Sequence, residues 1–188
     1  MLLLTLASCS SEDNEPNLPP ETTTGENTAG FVVDGKKVIL PKDKYSSTPG
    51  TGMVYGIKVQ MGPNFNSSEN NDYFTFRISN VGDPVVYSMN IRIHQPPEQL
   101  KKYVFQSFSI DNYADGPNYP QASLTISGKN IETQWYYSAQ NSGSIIFTRI
   151  DATQRIFSGI FSATLYNRFD RSKTMQITKG RFDIDLKK

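Results

Sequence analysis

The side chains able to do chemistry are few. Cys9 is the only cysteine in 188 residues and His94 the only histidine. A transition-metal centre built from three or four nitrogen and sulfur ligands therefore has nothing to draw on, and neither metal nor cofactor is expected. A disulfide within the chain is excluded for the same reason. No G-x-S-x-G elbow accompanies His94, and the glycine spacings match neither a dinucleotide fingerprint nor a phosphate loop. Two carboxylate sets remain. Asp111 and Asp115, in the run Asp111-Asn112-Tyr113-Ala114-Asp115-Gly116, could offer oxygens to calcium. Their spacing is not that of an EF-hand loop, and Asx residues favour turns for local hydrogen-bonding reasons, so a plain loop is preferred. Asp183 and Asp185 share a strand face and could imitate a glycosidase pair. The wet side of a terminal strand is the simpler account.

Aromatic residues are the stronger lead, with 11 Phe, 10 Tyr and one Trp. In Glu132-Thr133-Gln134-Trp135-Tyr136-Tyr137, a period of two puts Trp135 and Tyr137 on one face and Tyr136 on the other. A two-layer fold cannot bury both faces, so at least one of these rings meets solvent or a covering loop. Tyr113 and Tyr119 precede the run and could join it. Flat rings with hydroxyls on a β surface suit stacking on sugars or on a protein partner. The competing account is cross-strand packing that only stabilises the sheet, and it carries more weight.

Cys9 stands directly behind the apolar run Leu2 to Ala7 and ahead of Ser10, Ser11, Glu12 and Asp13. Such neighbours make no core, which argues against a buried thiol. The order Leu6-Ala7-Ser8-Cys9 resembles the bacterial lipobox, where small residues flank a cleaved bond and the thiol is acylated. Residues 1–9 are then a lipoprotein signal peptide ending at the lipidated cysteine. The run is short and lacks a basic n-region, so the true start is expected upstream. Several acyl chains anchor firmly where one is marginal. Residues 10–30 carry five acids and no Lys or Arg, leaving 31–188 at +6 within an overall +1. This segment reads as an acidic flexible tether, too poor in apolar residues to fold alone. Its start, Ser10 to Glu15, is similar to the signal that sends Bacteroidota lipoproteins to the outer face of the outer membrane.

From Phe31 onward, short alternating runs are separated by turn residues. Asp34-Gly35 between Phe31-Val32-Val33 and Lys37-Val38-Ile39-Leu40 is a hairpin signal. Phe74, Phe76 and Ile78 face one way, with Tyr73, Thr75 and Arg77 opposite. Tyr87, Met89, Ile91 and Ile93 likewise oppose Ser88, Asn90, Arg92 and His94. The pattern continues to Leu186, where Phe182, Ile184 and Leu186 oppose Arg181, Asp183 and Asp185. Residues 31–188 thus form a single all-β domain, an antiparallel β-sandwich or barrel of roughly ten strands. At most one short helical turn is expected, within PPEQLKKY.

The ending, from Gly143 through Asp151, Ser158, Gly159 and Phe161 to Thr178, Gly180, Phe182 and Asp183, resembles a group of Bacteroidota lipoproteins of unknown function. Val33-Asp34-Gly35 is similar to that group's first hairpin. The likeness covers most of 31–188 and is tight from Gly143 on. Ile160 departs from an expected Thr, and the stretch from Tyr103 to Ser142 is longer and poorer in glycine. The resemblance implies an all-β lipoprotein and supplies no activity. Read from the residues alone, Gly159 and Gly180 mark close packing or bulges.

The basic residues Arg168, Arg171, Lys173, Lys179, Arg181, Lys187 and Lys188 cluster near the end. An exported, mildly basic domain makes nucleic acid a poor partner, whereas an edge strand guarded by lysines is ordinary. The expected function is therefore a non-enzymatic binding or structural module. It is anchored to the outer membrane through acyl chains on Cys9, faces the cell exterior, and contacts glycan or an envelope protein. The alternatives are a small envelope carbohydrate hydrolase using Asp111, Asp115, Asp183 or Asp185, and a calycin-like barrel that holds a lipid.

Overall fold

Alternation of apolar and polar side chains with a period of two is the rule along this chain, and it produces an all-β architecture. A computed structural model describes residues 18–39, 46–48, 51–54, 56–62, 73–80, 84–94, 97–109 and 119–187. Cys9, Asp111, Tyr113 and Asp115 lie outside the described residues. The strands are β1 (Thr28–Val33), β2 (Lys36–Ile39), β3 (Ser46–Thr48), β4 (Thr51–Val54), β5 (Ile57–Gly62), β6 (Tyr73–Ser79) and β7 (Val85–His94). They continue with β8 (Lys102–Val104), β9 (Gln121–Gly128), β10 (Ile131–Tyr137), β11 (Gly143–Asp151), β12 (Ile156–Asn167) and β13 (Thr174–Asp185). Eleven of them form one antiparallel sheet in the order β2-β1-β13-β12-β10-β9-β7-β6-β5, with β11 against β12 and β8 against β11. The sheet is strongly curled into a half-barrel. Strands β3 and β4 pair separately.

Curling begins where β12 serves two neighbours along one edge. Its first part, Ile156 to Ala163, pairs with β11, and its last two residues, Tyr166 and Asn167, pair with β10. Gly143 sits at this fork, where a Cβ would lie 2.6 Å from the Ala163 Cα and collide with the carbonyl of Ser162. Only a residue without a side chain lets the strands approach so closely.

The inward faces then meet across the concave side. Phe74 of β6 contacts Phe147 of β11 edge-on and Phe157 of β12, both at 5.3 Å between ring centroids. Phe76 lies 4.6 Å from Phe182 of β13 and 6.3 Å from Phe161. None of these pairs is adjacent in the sheet, so the rings fill the interior that the curl encloses. Each buried Phe contributes about 1.5–3 kcal/mol, and each edge-to-face pair about 0.5–1.5 kcal/mol more.

The Asp34-Gly35 hairpin forms as expected, with φ of 45° and 81° at the two turn residues, the left-handed pair that a tight β1–β2 turn requires. Gly159 and Gly180 mark close aromatic packing. Gly159 pairs with Phe182 and Gly180 with Phe161, so each glycine gives its space to the ring of its partner strand. The register of β12 against β13 also shifts between Phe161 and Ala163, with Lys179 left-handed at φ 52°, which is a bulge.

The structure adds three particulars to the expected all-β fold. Strand β1 starts at Thr28 rather than Phe31, and the stretch from Leu18 to Asn27, read as the end of a free tether, is packed on the domain. Pro97 to Lys101 forms no helical turn. Leu100, at φ 61°, gives its amide to the Phe147 carbonyl at 2.8 Å, so β11 captures a donor that a helix would have used internally. Finally β3, β4 and β8 have three or four residues each, too few for alternation to register.

Candidate ligand-binding surface

Because Phe76, Ile78, Met89, Ile91, Leu124 and Tyr136 turn inward, their neighbours on β6, β7, β9 and β10 must turn outward. Register then aligns them in rows. Arg77 pairs with Asn90, Asn90 with Ser123, and Ser123 with Tyr137, one row across four strands. The next row carries Ser88, Thr125 and Trp135. Together with Phe108 these residues line a depression of about 320 Å³, at the small end of the range for ligand sites. Its floor is short and polar, its far wall aromatic, and Arg77 closes the near side.

The aromatic wall is held firmly. Phe108 stacks on Tyr137 with 4.2 Å between centroids and 6° between planes. The segment carrying Phe108 is pinned by Ser138, a buried residue just after β10. The Ser138 hydroxyl donates to the Gln106 carbonyl at 2.7 Å and accepts from the Ala122 amide at 3.0 Å. The Phe108 amide donates to the Ser138 carbonyl at 3.0 Å. Beyond Trp135, the β12–β13 loop adds Phe169, edge-on to the indole at 6.2 Å. Phe169 is 76% exposed, and its loop is fixed by the Asn167 side-chain oxygen, which accepts from the amides of Phe169 and Asp170.

The expected division of the Trp135-Tyr136-Tyr137 run holds, and it removes one candidate. Tyr136 is 3% exposed and belongs to the core, its hydroxyl donating to Gln134 Oε1 at 2.8 Å. It cannot touch a ligand on the outer face, because strand geometry sends it to the opposite side. Tyr119 is half-buried and is not among the residues lining the depression. His94 pairs with Tyr73 at the end of β7. Among the described residues no three His, Cys, Asp or Glu side chains gather as a metal site would require.

Asp183 corrects the assignment of a wet face to β13. It is 1% exposed because the segment from Thr22 to Glu26 lies over it. Its carboxylate accepts from the Thr22 hydroxyl at 2.6 Å and the Ser158 hydroxyl at 2.7 Å. It also accepts from the amides of Thr24, Gly25 and Glu26 at 3.0, 2.9 and 3.1 Å. Burial alone would push its pKa up, but the hydroxyl and amide donors outweigh burial and hold it below the usual carboxylate range. The strap has further attachments. Arg149 donates to the Thr23 carbonyl at 2.5 Å and Arg181 to the Pro19 carbonyl at 3.2 Å. Asp185 is tied differently, its amide donating to Asn27 Oδ1 and its carboxylate accepting from the Lys187 amide, both at 2.8 Å. With its oxygens saturated by donors, Asp183 is a clamp for the strap and has no lone pair to offer a substrate.

Alternation separates Trp135 and Tyr137 from Tyr136 but does not say which face is outward; burial of Tyr136 decides it. Arg77, Ser88 and Asn90 were assigned outward by alternation, without a sign that they face the same depression. Phe108 carries no periodic signal, because it lies in the connection between β8 and β9. Comparison with protein-family models, with curated proteins and with solved structures found no match.

Proposed function

We propose that this chain is a non-enzymatic carbohydrate-binding module, held on the outer face of a bacterial outer membrane by acyl chains on Cys9. The observation that carries the binding part is the depression where Trp135, Tyr137 and Phe108 stand over a floor of Ser88, Asn90, Ser123 and Thr125. A pyranose offers one face of C–H groups, which packs on the negative face of an aromatic ring. Its hydroxyls demand short donors and acceptors nearby, and the hydroxyl and amide side chains of the floor supply both. The anchoring part rests on the sequence Leu6-Ala7-Ser8-Cys9 and the acidic residues after it.

Two competing readings are less well supported. A hydrolase needs a free carboxylate pair, whereas Asp183 is occupied by five donors. A lipid carrier needs interior space, whereas rings from β6, β11, β12 and β13 meet inside the curl.

The test is an oligosaccharide array probed with the intact domain and with Trp135→Ala. Binding by the first and its loss in the second supports the reading; an array without signal overturns it. The anchor is tested apart, by mass spectrometry of the mature N-terminus after expression in a lipoprotein-exporting host. An unacylated Cys9 would end that half of the proposal.

A further inference from the structure

The sheet half that carries the depression has an unbalanced charge. Strands β5, β6, β7 and β9 contain Lys58, Arg77, Arg92 and His94 and no Asp or Glu, and β10 adds one acid, Glu132. Lys58 and Arg77 are direct cross-strand partners, an arrangement of like charges that destabilises a sheet unless an anion relieves it. Both are exposed. Arg92 is engaged over the Tyr73 ring, 5.0 Å from its centroid. The Arg77 guanidinium has no ion-pair or hydrogen-bond partner among the described residues, yet it lines the depression. A planar guanidinium in that state is a ready site for a carboxylate or a sulfate, which it can hold through two parallel N–H bonds.

We infer that the ligand is an acidic oligosaccharide, with one sugar against Trp135 and the aromatic wall and the acidic group of a neighbouring sugar on Arg77. This deepens the carbohydrate-binding reading and rests on it. The spacing fits. Arg77 and Tyr137 end one row of four strands, so their backbones are three inter-strand steps apart, about 14 Å. Both residues line the depression, and a backbone separation of that size exceeds the width of one pyranose ring, so the site takes a chain of at least two sugars. Asn90 and Ser123, between them in the row, meet the hydroxyls along the way. An acidic group bound at Arg77 also offsets its repulsion with Lys58, so binding weakens as salt rises.

The test is an array of di- to tetrasaccharides in which every uronate, sialate or sulfate ester stands beside its neutral counterpart. It is probed with the wild-type domain, with Arg77→Gln and with Arg77→Lys. Acidic members are expected to bind about tenfold more tightly than their counterparts. That preference should disappear in R77Q and persist in part in R77K, since charge survives and the bidentate fork does not. The carboxylate and sulfate arms show which acid is taken. Equal binding of neutral and acidic members, or a preference surviving in R77Q, overturns this inference and leaves carbohydrate binding standing. No binding to any member overturns both. Circular dichroism of the variants excludes misfolding, because Arg77 is exposed and its removal touches no core residue.

Discussion

The amide of Gly25 donates to Oδ1 of Asp183 at 2.9 Å, joining residues 158 positions apart in sequence. The strap can make this turn because Gly25 adopts φ +80° and because a Cβ there would sit 2.8 Å from the Cβ of Asp185. One buried carboxylate thereby fixes the path of the chain entering the domain, and β1 starts at Thr28 where the strap ends. The outer face of β13 is dry at Asp183 for the same reason, while Gln176, Thr178 and Lys179 remain exposed.

Asp183→Ala should therefore destabilise the domain by roughly 3 kcal/mol, since it leaves buried amides and hydroxyls without an acceptor. Urea denaturation would measure the loss. Limited proteolysis should show new cleavage between Leu18 and Asn27 in the variant and none in wild type. A variant as stable as wild type, with the strap still protected, would refute the clamp.

The same carboxylate predicts a pH dependence with a definite sign. Its folded pKa is lower than the ordinary value of 3.8, so below that value the unfolded chain binds the proton more readily than the folded one. The stabilisation is complete well above pH 3.8 and is lost as pH falls through the lowered folded value. Unfolding free energy measured from pH 6 downward should decline in wild type as the acid range is entered. It should decline less steeply in Asp183→Asn. Some slope persists in that variant, because Asp151 and Asp170 are also held below the usual range, Asp151 by the Gln154 amide and Arg149, Asp170 by Ser172 and Lys173.

Gly180→Ala should destabilise by about 2 kcal/mol or more, as overpacking against a fixed neighbour does. A Cβ at Gly180 would lie 2.5 Å from the Phe161 ring and 2.6 Å from the Phe161 carbonyl oxygen. The backbone contact means that shrinking the ring should not restore stability. A Gly180→Ala, Phe161→Leu double variant regaining the wild-type melting temperature would show that the ring alone sets the limit.

Neighbouring aromatics should separate binding from stability. Tyr136→Ala removes a core side chain and should cost about 3–5 kcal/mol. Trp135→Ala, on the outer face, should change stability far less and abolish the array signal. If both variants lose stability equally, the outer aromatics serve the sheet and the depression loses its role as a site.

Strand faces were legible in the sequence because alternation is a local property. The inward set Phe74, Phe76, Ile78, Met89, Ile91 and Ile93 needs only the period of a strand, and Asp34-Gly35 needs only the backbone freedom of a tight turn. The same local rule separated Tyr136 from Trp135 and Tyr137. Asp183 shows its limit. Alternation put that carboxylate on the polar side of β13, which is true, but whether the polar side is wet depends on what lies over it, and the covering strap comes from more than 150 residues away in the chain. Likewise, Arg77, Asn90, Ser123 and Tyr137 became one row only through the pairing of β6, β7, β9 and β10. Register between strands is set by the packing of their buried faces, a long-range property that no single segment encodes.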